Sequence, residues 1–519
     1  MYSLFTAHVS RFYKCHASRQ GIAVLAFDVE SVDMIHVQYI LLHPTLVVSG
    51  PHDYDTAKVL EVFAYYDKEK KEADEGTILR FVEKVPGKEL CVLPGLVPVH
   101  AAFDQPSLAA YCDHWVSNVH SRTGFLTTLQ DTLGFTPKVD FNAGVVAAGE
   151  AQIESTVTGN ESPAVAKEFA LRNQSQVYLP INNALSDVGH VHGFLNEIGQ
   201  GIQHVASRVE NLVDFVQQAN DWRKITGEGF SFLGIPRSYY GILTVQQLVD
   251  KEVSLELAEC ILQACQSTQV VSSSGAVDLD LNALEIEERL QSSLEGTPHL
   301  EEYTKNKECI VATIIRSRYI NLHSLLKDHI SESSYLGIVR NQILVDVQSD
   351  DLLYQIFTSN ILQRKAGEEA PFLEFIQRVC SECPDTDESD CPVKIKPGCG
   401  GFGIRNFLTL FLSIELSKAM LEVSEAKVRG DEERQAVAQA MVDCFTDQLN
   451  ESNPILTEIS NAMTRERHCQ DMLTQKDGDA ELWSEQLEQA SQVKTKGNQK
   501  LMDCSTKYKE RMVALRQRN

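Results

Sequence analysis

The sequence has few basic residues for its length and no long apolar run. Lys and Arg together number 47 against 72 Asp and Glu, which gives a formal net charge of -25. Such an acidic chain is repelled by nucleic acid and by anionic membrane surfaces, so neither is predicted as a partner. No apolar stretch approaches the roughly 20 residues that a membrane-spanning helix needs, so no membrane span is predicted.

The cysteines do not form the pattern of a disulfide framework. There are 13 of them, an odd number scattered along the chain. This usage is typical of reduced thiols in a reducing compartment, which predicts a cytoplasmic protein. The first 27 residues contain no acidic side chain, and this leaves mitochondrial import open as an alternative.

At 519 residues the chain is long enough for two or three domains. Its most informative stretch runs from Pro371 to Arg378 and is predicted to be a buried strand. Strand alternation places Phe372, Glu374 and Ile376 on one face. A carboxylate that faces inward among apolar side chains is costly unless a cation or a metal compensates it. The alternative is that Glu374 lies on a solvated edge.

Two histidines enter similar apolar stretches upstream, His114 within residues 111–116 and His204 within residues 201–206. Two His and one carboxylate on separate strands can form the facial triad that holds non-haem Fe(II) and leaves positions open. A single buried His is more often structural, so the prediction depends on all three together. The predicted metal ligands are His114, His204 and Glu374, with Fe(II) as cofactor.

Eight short stretches that include these residues occur in the order found in one protein family. They are Asp113-His114, 179–182, 201–204, 236–240, 343–346, 353–358, 372–378 and 400–407. In these stretches the chain resembles 4-hydroxyphenylpyruvate dioxygenase and its dioxygenase-like relatives in the vicinal-oxygen-chelate superfamily. The resemblance covers roughly residues 22–425, with interruptions.

The resemblance implies an α+β fold built from repeated βαβββ modules. Residues 1–107 have room for one truncated N-terminal module, where the family has two, and residues 108–425 would form the catalytic domain. Residues 244–335 are interpreted as a helical insertion in that domain, with a faulty gene model as the alternative. Residues 426–519 are polar and helix-favouring, which predicts a solvated helical extension that could bind a partner.

The resemblance also implies a substrate pocket beside the metal. Amides are expected to orient the substrate and aromatic rings to exclude water, although each residue could instead serve packing alone. The residues implied are Gln203, Gln355, Asn182, Phe357, Phe372, Phe402, Asn406 and Phe407. Two positions depart from the family, Lys167 in place of a Ser and the Gly189-His190 loop in place of a Gln. The far end of the pocket is therefore expected to differ.

The acidic stretch 380–399 contains four cysteines and several aspartates, which are residue types that bind metals. Its four cysteines lack the spacing of a zinc ribbon, and its aspartates lack the Gly and Glu of a calcium loop. No second metal is predicted.

Three functions remain open from the sequence. The first is an Fe(II) dioxygenase that converts 4-hydroxyphenylpyruvate and O2 to homogentisate and CO2, in tyrosine breakdown. The second is a related enzyme that makes 4-hydroxymandelate or uses another aryl 2-oxo acid. The third is a non-catalytic scaffold that binds a partner through its helical additions. A homodimer is compatible with all three.

Overall fold

The computed structural model describes residues 9–17, 22–88, 111–160, 178–326, 330–348, 351–359, 365, 367–379, 401–475 and 480–517. Lys167 and the cysteine-rich stretch 380–399 lie outside these residues. The described part contains two β-sheets and a large helical portion, in the order expected of an α+β protein. The predicted fold class is therefore confirmed.

The N-terminal sheet contains a single βαβββ unit with one extra strand at its edge. Its elements are β1 (Val9–Ala17), β2 (Ile22–Val29), α1 (Val32–Leu42), β3 (Val47–Asp53), β4 (Ala57–Asp67) and β5 (Glu72–Lys84). The strand order is β1-β2-β5-β4-β3, and β2 runs parallel to β5. The strands predicted around Ile22 and Ile78 correspond to β2 and β5.

The second sheet has eight strands and carries the predicted metal ligands. Its elements are β6 (Tyr111–Asn118), α2 (Arg122–Leu133), β7 (Thr136–Ala148), β8 (Ala151–Gly159), β9 (Tyr178–Ala184), α3 (His190–Glu197), β10 (Gly201–Arg208), α4 (Leu212–Thr226), β11 (Leu344–Gln348), β12 (Asp351–Phe357) and β13 (Phe372–Val379). The strand order is β11-β12-β13-β10-β6-β9-β8-β7. Two βαβββ units thus meet where β6 pairs antiparallel with β10.

Each crossover helix of these units begins at a side-chain cap and ends at a glycine. The side chain of Ser121 accepts a hydrogen bond from the backbone N–H of Gly124 and so caps the start of α2. Gly134 ends that helix in the left-handed conformation, at a φ of 69° that favours glycine. Asn211 and Gly227 do the same for α4. These signals fix where each crossover returns to the sheet.

The helical insertion lies between α4 and β11. Its elements are a 3-10 turn (Arg237–Tyr239) and helices α5 (Val245–Val249), α6 (Leu255–Ser267), α7 (Ala283–Leu294), α8 (Leu300–Arg316), α9 (Ile320–Leu326) and α10 (Glu332–Arg340). The helix predicted at Leu255 is α6. Buried side chains from Leu243 to Ile314 form a hydrophobic cluster of their own. Tyr319, Leu322 and Tyr335, by contrast, belong to the main core beside the sheet.

The two ends of the self-contained part of the insertion lie next to each other. The backbone N–H of Asn321 donates to the carbonyl of Tyr240 at 3.0 Å. A Cβ added to Gly241 would lie 2.3 Å from the carbonyl oxygen of Ser317, so the chain passes there in close contact. The part with its own core therefore begins and ends at one point and stops near Arg316, earlier than the predicted boundary at 335.

Three long helices follow the sheet: α11 (Ile404–Arg429), α12 (Glu432–Gln475) and α13 (Ala480–Arg516). The amphipathic helix predicted from Phe407 is α11. The prediction that the chain beyond residue 426 is a solvated extension is wrong. Phe445, Leu449 and Ile459 of α12, with Leu501 and Met512 of α13, are buried in the main core. The apolar stripe is spread thinly over two long helices, and their many charged residues conceal it in the sequence.

The hairpin formed by α12 and α13 is also joined to the sheet by polar contacts. Gln448 donates to the carbonyl of Ala147 and accepts from the N–H of Gly149, both at 2.8 Å. Ala147 is near the end of β7, and Gly149 is in the turn that leads to β8. The hairpin is therefore part of the same packed body as the sheet.

Candidate metal centre

Three neighbouring central strands carry the predicted ligands: β6 has His114, β10 has His204 and β13 has Glu374. In the strand register, His114 and Glu374 are both partners of Ala206, from opposite sides of β10. Paired residues share a face of the sheet, and His204 lies two residues before Ala206 on that same face. The register alone therefore brings all three side chains together.

The ligand atoms converge on one point. The Nε2 atoms of His114 and His204 lie 3.1 Å and 3.2 Å from Oε2 of Glu374. One ligand atom from each of the three residues falls within 4.8 Å of the others, and all three residues are buried. Among the residues that the structure describes, this is the only group of three such side chains that could hold a metal ion.

Each imidazole is held by a polar partner on its other nitrogen. Nδ1 of His114 lies 2.8 Å from Oδ1 of Asp113, and Nδ1 of His204 lies 2.9 Å from Oε1 of Gln203. Because both partners are acceptors, each Nδ1 carries the proton and donates it. Each Nε2 lone pair is then available to a metal, as is usual for metal-binding histidines.

Asp113 is itself held by two arginines. Arg378 donates to both of its carboxylate oxygens, at 2.8 Å and 2.9 Å, and Arg208 donates to Oδ2. Burial by itself raises the pKa of Asp113, but the two guanidinium groups outweigh it and hold that pKa well below its usual range. Asp113 is therefore a carboxylate that keeps the His114 ring in place.

Glu374 is oriented by a chain of amides. Its Oε1 accepts from Nε2 of Gln355 at 2.6 Å, and Oε1 of Gln355 accepts from Nδ2 of Asn406 at 2.7 Å. Oε2 of Glu374 is thereby directed towards the two imidazoles. Both the nitrogen and the oxygen of the Gln355 amide form hydrogen bonds, so in this structure Gln355 orients the carboxylate of Glu374.

The charges of the site interact strongly. Burial lowers the pKa of His114, but the carboxylates of Glu374 and Asp113 outweigh it and raise that pKa to about 9. Burial raises the pKa of Glu374, but the two imidazoles outweigh it and lower that pKa to about 2. Without a bound cation, the buried carboxylate is thus balanced by a proton on its histidine neighbours. A divalent metal can replace that positive charge.

The donor set fits Fe(II). Two neutral imidazole nitrogens and one carboxylate are the donors of the facial triad in non-haem iron oxygenases. The outer partners Asp113, Gln203 and Gln355 fix the tautomers and the orientation that such a site requires.

The ligands open into a narrow cavity of about 40 Å³ with mostly apolar walls. It is lined by His114, Val116, Phe141, Ser155, Val157, Pro180, His204, Gln355, Phe357, Glu374, Phe402, Gly403, Asn406, Phe407 and Leu410. Five of the predicted pocket residues are therefore on its wall, namely Gln355, Phe357, Phe402, Asn406 and Phe407. The first turn of α11 supplies the wall opposite the sheet.

Three other predicted pocket residues are placed elsewhere among the described residues. Gln203 holds the His204 ring, and Phe372 stacks on that ring with centroids 4.7 Å apart. Asn182 donates to the side chain of Asn118 at 3.2 Å, farther along the same face of the sheet. Gln203 and Phe372 therefore support a ligand rather than face the cavity.

Several residues of the site were not singled out from the sequence. Val116 follows His114 by one strand repeat, so alternation along β6 could have identified it. Ser155 and Val157 alternate along β8 in the same way. Phe141 and Leu410 carry no such signal, because their position depends on how β7 and α11 pack.

The departure at the Gly189-His190 loop does not face the cavity. His190 is buried at the start of α3, where its ring packs against Phe411 and its Nδ1 lies 3.3 Å from the carboxylate of Glu415. Its backbone N–H also donates to Glu415, at 2.6 Å. This loop therefore fastens α3 to α11. The expectation that His190 changes the far end of the pocket is not supported among the described residues, and Lys167 lies outside them.

In the part of the chain that the structure describes, no helix is both long and apolar enough to cross a membrane.

Comparison with known proteins gives a partial sequence match. No family model matches the chain. The chain is 37% identical over 113 residues to 4-hydroxyphenylpyruvate dioxygenase of Hordeum vulgare, a stretch that is 22% of this chain and 24% of that protein. It is 39% identical over 104 residues to the enzyme of the same name from Plectranthus scutellarioides, 20% of this chain and 22% of that protein. The matched stretch thus spans about a quarter of these relatives, and over it the family resemblance is confirmed.

Solved structures give a weaker likeness. A mutant of 4-hydroxymandelate synthase from Streptomyces coelicolor matches with 14% identity and a TM-score of 0.38, over 77% of this chain and 78% of that one. A xylose isomerase-like TIM barrel/4-hydroxyphenylpyruvate dioxygenase fusion protein matches with 13% identity and a TM-score of 0.34, over 73% of this chain and 40% of that one. Both scores are too low to carry an argument.

Proposed function

We propose that this chain is an Fe(II)-dependent dioxygenase that converts 4-hydroxyphenylpyruvate and O2 to homogentisate and CO2, as part of tyrosine breakdown. The observation that carries the proposal is the buried set of His114, His204 and Glu374, which opens into an aromatic-walled cavity. A scaffold has no use for three convergent ligands whose outer partners are also in place. The partial likeness to 4-hydroxyphenylpyruvate dioxygenases points to the same chemistry.

The residues of the chain would divide the work as follows. His114, His204 and Glu374 would hold Fe(II), which when bound would supply the redox chemistry between O2 and a 2-oxo acid. Asp113, Gln203 and Gln355 would keep the ligands in their binding tautomers and orientation. Because the pKa of His114 is raised to about 9, Fe(II) would displace a proton from that ring as it binds, and the protonated Nδ1 atoms would keep both Nε2 atoms as the donors.

The walls of the cavity suit a flat aromatic substrate. Phe357, Phe402 and Phe407 would pack against the ring and exclude water, which strengthens every electrostatic interaction inside. Asn406 and Ser155 add an amide and a hydroxyl to an otherwise apolar lining, and either could bond a polar group of the substrate.

A second product is favoured by a specific feature of the chemistry. 4-Hydroxymandelate and homogentisate form from the same substrate with the same consumption of O2 and release of CO2. Homogentisate requires the second oxygen on the ring carbon that bears the side chain, with migration of that side chain to the neighbouring carbon, whereas 4-hydroxymandelate requires it on the benzylic carbon. Substrate orientation in the cavity would decide which carbon is attacked. The wall formed by Phe357, Phe402 and Phe407 would set that orientation.

The test is anaerobic reconstitution with Fe(II) followed by oxygen uptake with 4-hydroxyphenylpyruvate and with phenylpyruvate. Stoichiometric iron and uptake that depends on the 2-oxo acid would support the proposal. The two products are isomers, so they must be separated by chromatography before mass spectrometry. Homogentisate supports the first reaction and 4-hydroxymandelate the second. A protein that binds no iron would leave the scaffold function instead.

A further inference from the structure

The helical hairpin beyond α11 reaches the metal centre through a buried polar path. Three polar side chains of α12, Asn453, Thr457 and Ser460, follow one another at spacings of four and three residues. That spacing places them on a single face of the helix. The face is directed towards the sheet and the start of α11.

Each of these side chains bonds a different segment beside the cavity. Asn453 donates to the carbonyl of Tyr239 at 3.1 Å. The Thr457 hydroxyl accepts from Nη1 of Arg405 at 3.0 Å, and Ser460 donates to the carboxylate of Asp346 at 3.4 Å. One helical face therefore contacts the 3-10 turn, the first turn of α11 and strand β11.

Arg405 has few other partners to hold it. Its side chain is fully buried, with its guanidinium 4.7 Å from the ring centroid of Tyr239 and its Nε 3.4 Å from that hydroxyl. A buried cation is stable only where its donors are paired. The Thr457 hydroxyl therefore helps to decide where Arg405, and with it the first turn of α11, can lie.

Asp346 fixes the same turn from the other side. Its Oδ1 accepts from the backbone N–H of Val347 at 2.8 Å, and its Oδ2 faces the residue that precedes α11. A Cβ on Gly403 would lie 1.6 Å from Oδ2 of Asp346, so the turn fits closely against this carboxylate. Ser460 donates to Oδ1, the carboxylate oxygen that faces away from Gly403.

From this turn the path continues to a metal ligand. Asn406 follows Arg405 in this turn, and its Nδ2 donates to Gln355 at 2.7 Å. The hydroxyl of Tyr239, which donates to the carbonyl of Val345 at 2.9 Å, lies 3.3 Å from Oδ1 of the same amide. Gln355 in turn donates to Glu374. Every residue from Arg405 to Glu374 along this path is buried, so losing a hydrogen-bond partner there is costly.

We propose that Asn453, Thr457 and Ser460 of α12 are positioning residues for the metal centre, which set the first turn of α11 and through Asn406 and Gln355 the carboxylate of Glu374. The hairpin is thus a working part of the site, although it lies beyond the stretches that resemble the family. The proposal rests on the proposed function only in its claim about the metal. The claim about the turn of α11 stands by itself.

The test compares two threonine substitutions in the full chain. Thr457→Val removes the acceptor for Arg405 and keeps the shape of the side chain. Thr506→Val in α13 is the matched control, because the exposed Thr506 hydroxyl bonds only the carbonyl of Met502 in its own helix. Thr457→Ser restores the hydroxyl and should behave as the unmodified chain. Ser460→Ala serves as a second variant should Thr457→Val fail to fold.

Two readouts separate the two parts of the proposal. Amide hydrogen exchange over residues 402–411 reports on the turn of α11, and titration with Co(II) as a spectroscopic probe reports on the metal centre. For Thr457→Val we expect exchange in this segment to rise by on the order of tenfold, the effect of losing one buried hydrogen-bond partner. We expect Co(II) affinity to fall about tenfold, the lower end for outer partners of a metal ligand. The visible spectrum of bound Co(II) should also change, which a loss of stability alone would not cause.

Each outcome has a distinct meaning. Exchange and affinity equal to those of Thr506→Val would overturn the proposal. Faster exchange with unchanged affinity would retain the contact with α11 and overturn the link to the metal. A full chain that binds no metal would overturn the proposed function, while the exchange comparison would still decide whether α12 positions the turn.

Discussion

The two helical additions to the sheet, the insertion and the C-terminal hairpin, join the rest of the molecule in different ways. The insertion buries its apolar side chains in a cluster of its own, from Leu243 to Ile314, and starts and ends at one point. The hairpin instead contributes Phe445, Leu456 and Leu501 to the core behind the sheet. Both segments lie outside the stretches that resemble the family, so this alone does not decide whether a segment can be removed. The location of its hydrophobic core does.

The largest effect is expected from removing the hairpin. Truncation after Gly430 takes at least six large apolar side chains from the main core, and each such loss costs about 2–5 kcal/mol. This total exceeds the stability of an ordinary domain, so we expect insoluble or unfolded protein. Soluble yield and thermal unfolding measure it. A solvated extension, as the sequence predicts, could be removed without loss of the fold, so a folded truncated chain that binds metal would restore that interpretation.

The next effect concerns the predicted metal ligands themselves. His114→Ala, His204→Ala and Glu374→Ala should each abolish Fe(II) binding in a soluble protein, because two donors are too few and loss of the carboxylate also removes the balancing charge. Iron content after anaerobic reconstitution measures this. His52→Ala is the control, since that histidine is exposed on the N-terminal sheet. Full iron occupancy in one of the three variants would remove that residue from the ligand set.

A smaller effect is expected one step out from the ligands. Asp113→Asn keeps the shape of the side chain but leaves Arg208 and Arg378 without their buried counter-charge. We expect metal affinity to fall about 10–100-fold and the free energy of unfolding to fall by about 3–5 kcal/mol. Co(II) titration and denaturant unfolding measure the two quantities.

The control for Asp113→Asn is Asp447→Asn, which breaks an exposed pair with Arg511 at 2.6 Å between α12 and α13. Exposed pairs contribute at most about 1 kcal/mol. Equal effects of the two substitutions would mean that Asp113 has no special part in holding His114.

The smallest effect is expected from removing the insertion at the boundaries that the structure gives. Deleting residues 243–316 with a short Gly-Ser linker joins ends that already adjoin and leaves the main core complete. Metal affinity should equal that of the full chain. Some stability should be lost, because Arg237, Arg318 and Arg340 each bond a carbonyl of the insertion.

A matched deletion sharpens the result. Removal of residues 244–335, the range that the sequence suggests, also takes Tyr319, Leu322 and Leu325 from the main core. We expect that longer deletion to unfold at a clearly lower temperature than the shorter one. Identical melting of the two would mean that α9 does not contribute to the main core.

The sequence by itself was enough to single out the candidate ligand set and the module repeat. His114, His204 and Glu374 each stand in a short apolar stretch, where a polar side chain is conspicuous and its chemistry limits what it can do. The module repeat is what the resemblance to the family implies, whereas single strands and helices such as β2, β5 and α6 follow from local periodicity and propensity. The division of the chain into domains at 107 and 425, and the homodimer, remain predictions.

Only the tertiary structure decided which amides face the cavity and which hold a ligand. Gln203 and Gln355 are alike in the sequence. In the structure, Gln203 bonds His204, whereas Gln355 bonds Glu374 and also lines the cavity. Their roles depend on a register between strands far apart in the chain, which no local pattern encodes. The burial of α12 and α13 could not be predicted for a related reason. Their apolar residues are sparse, and only the tertiary structure shows that these residues pack against the sheet.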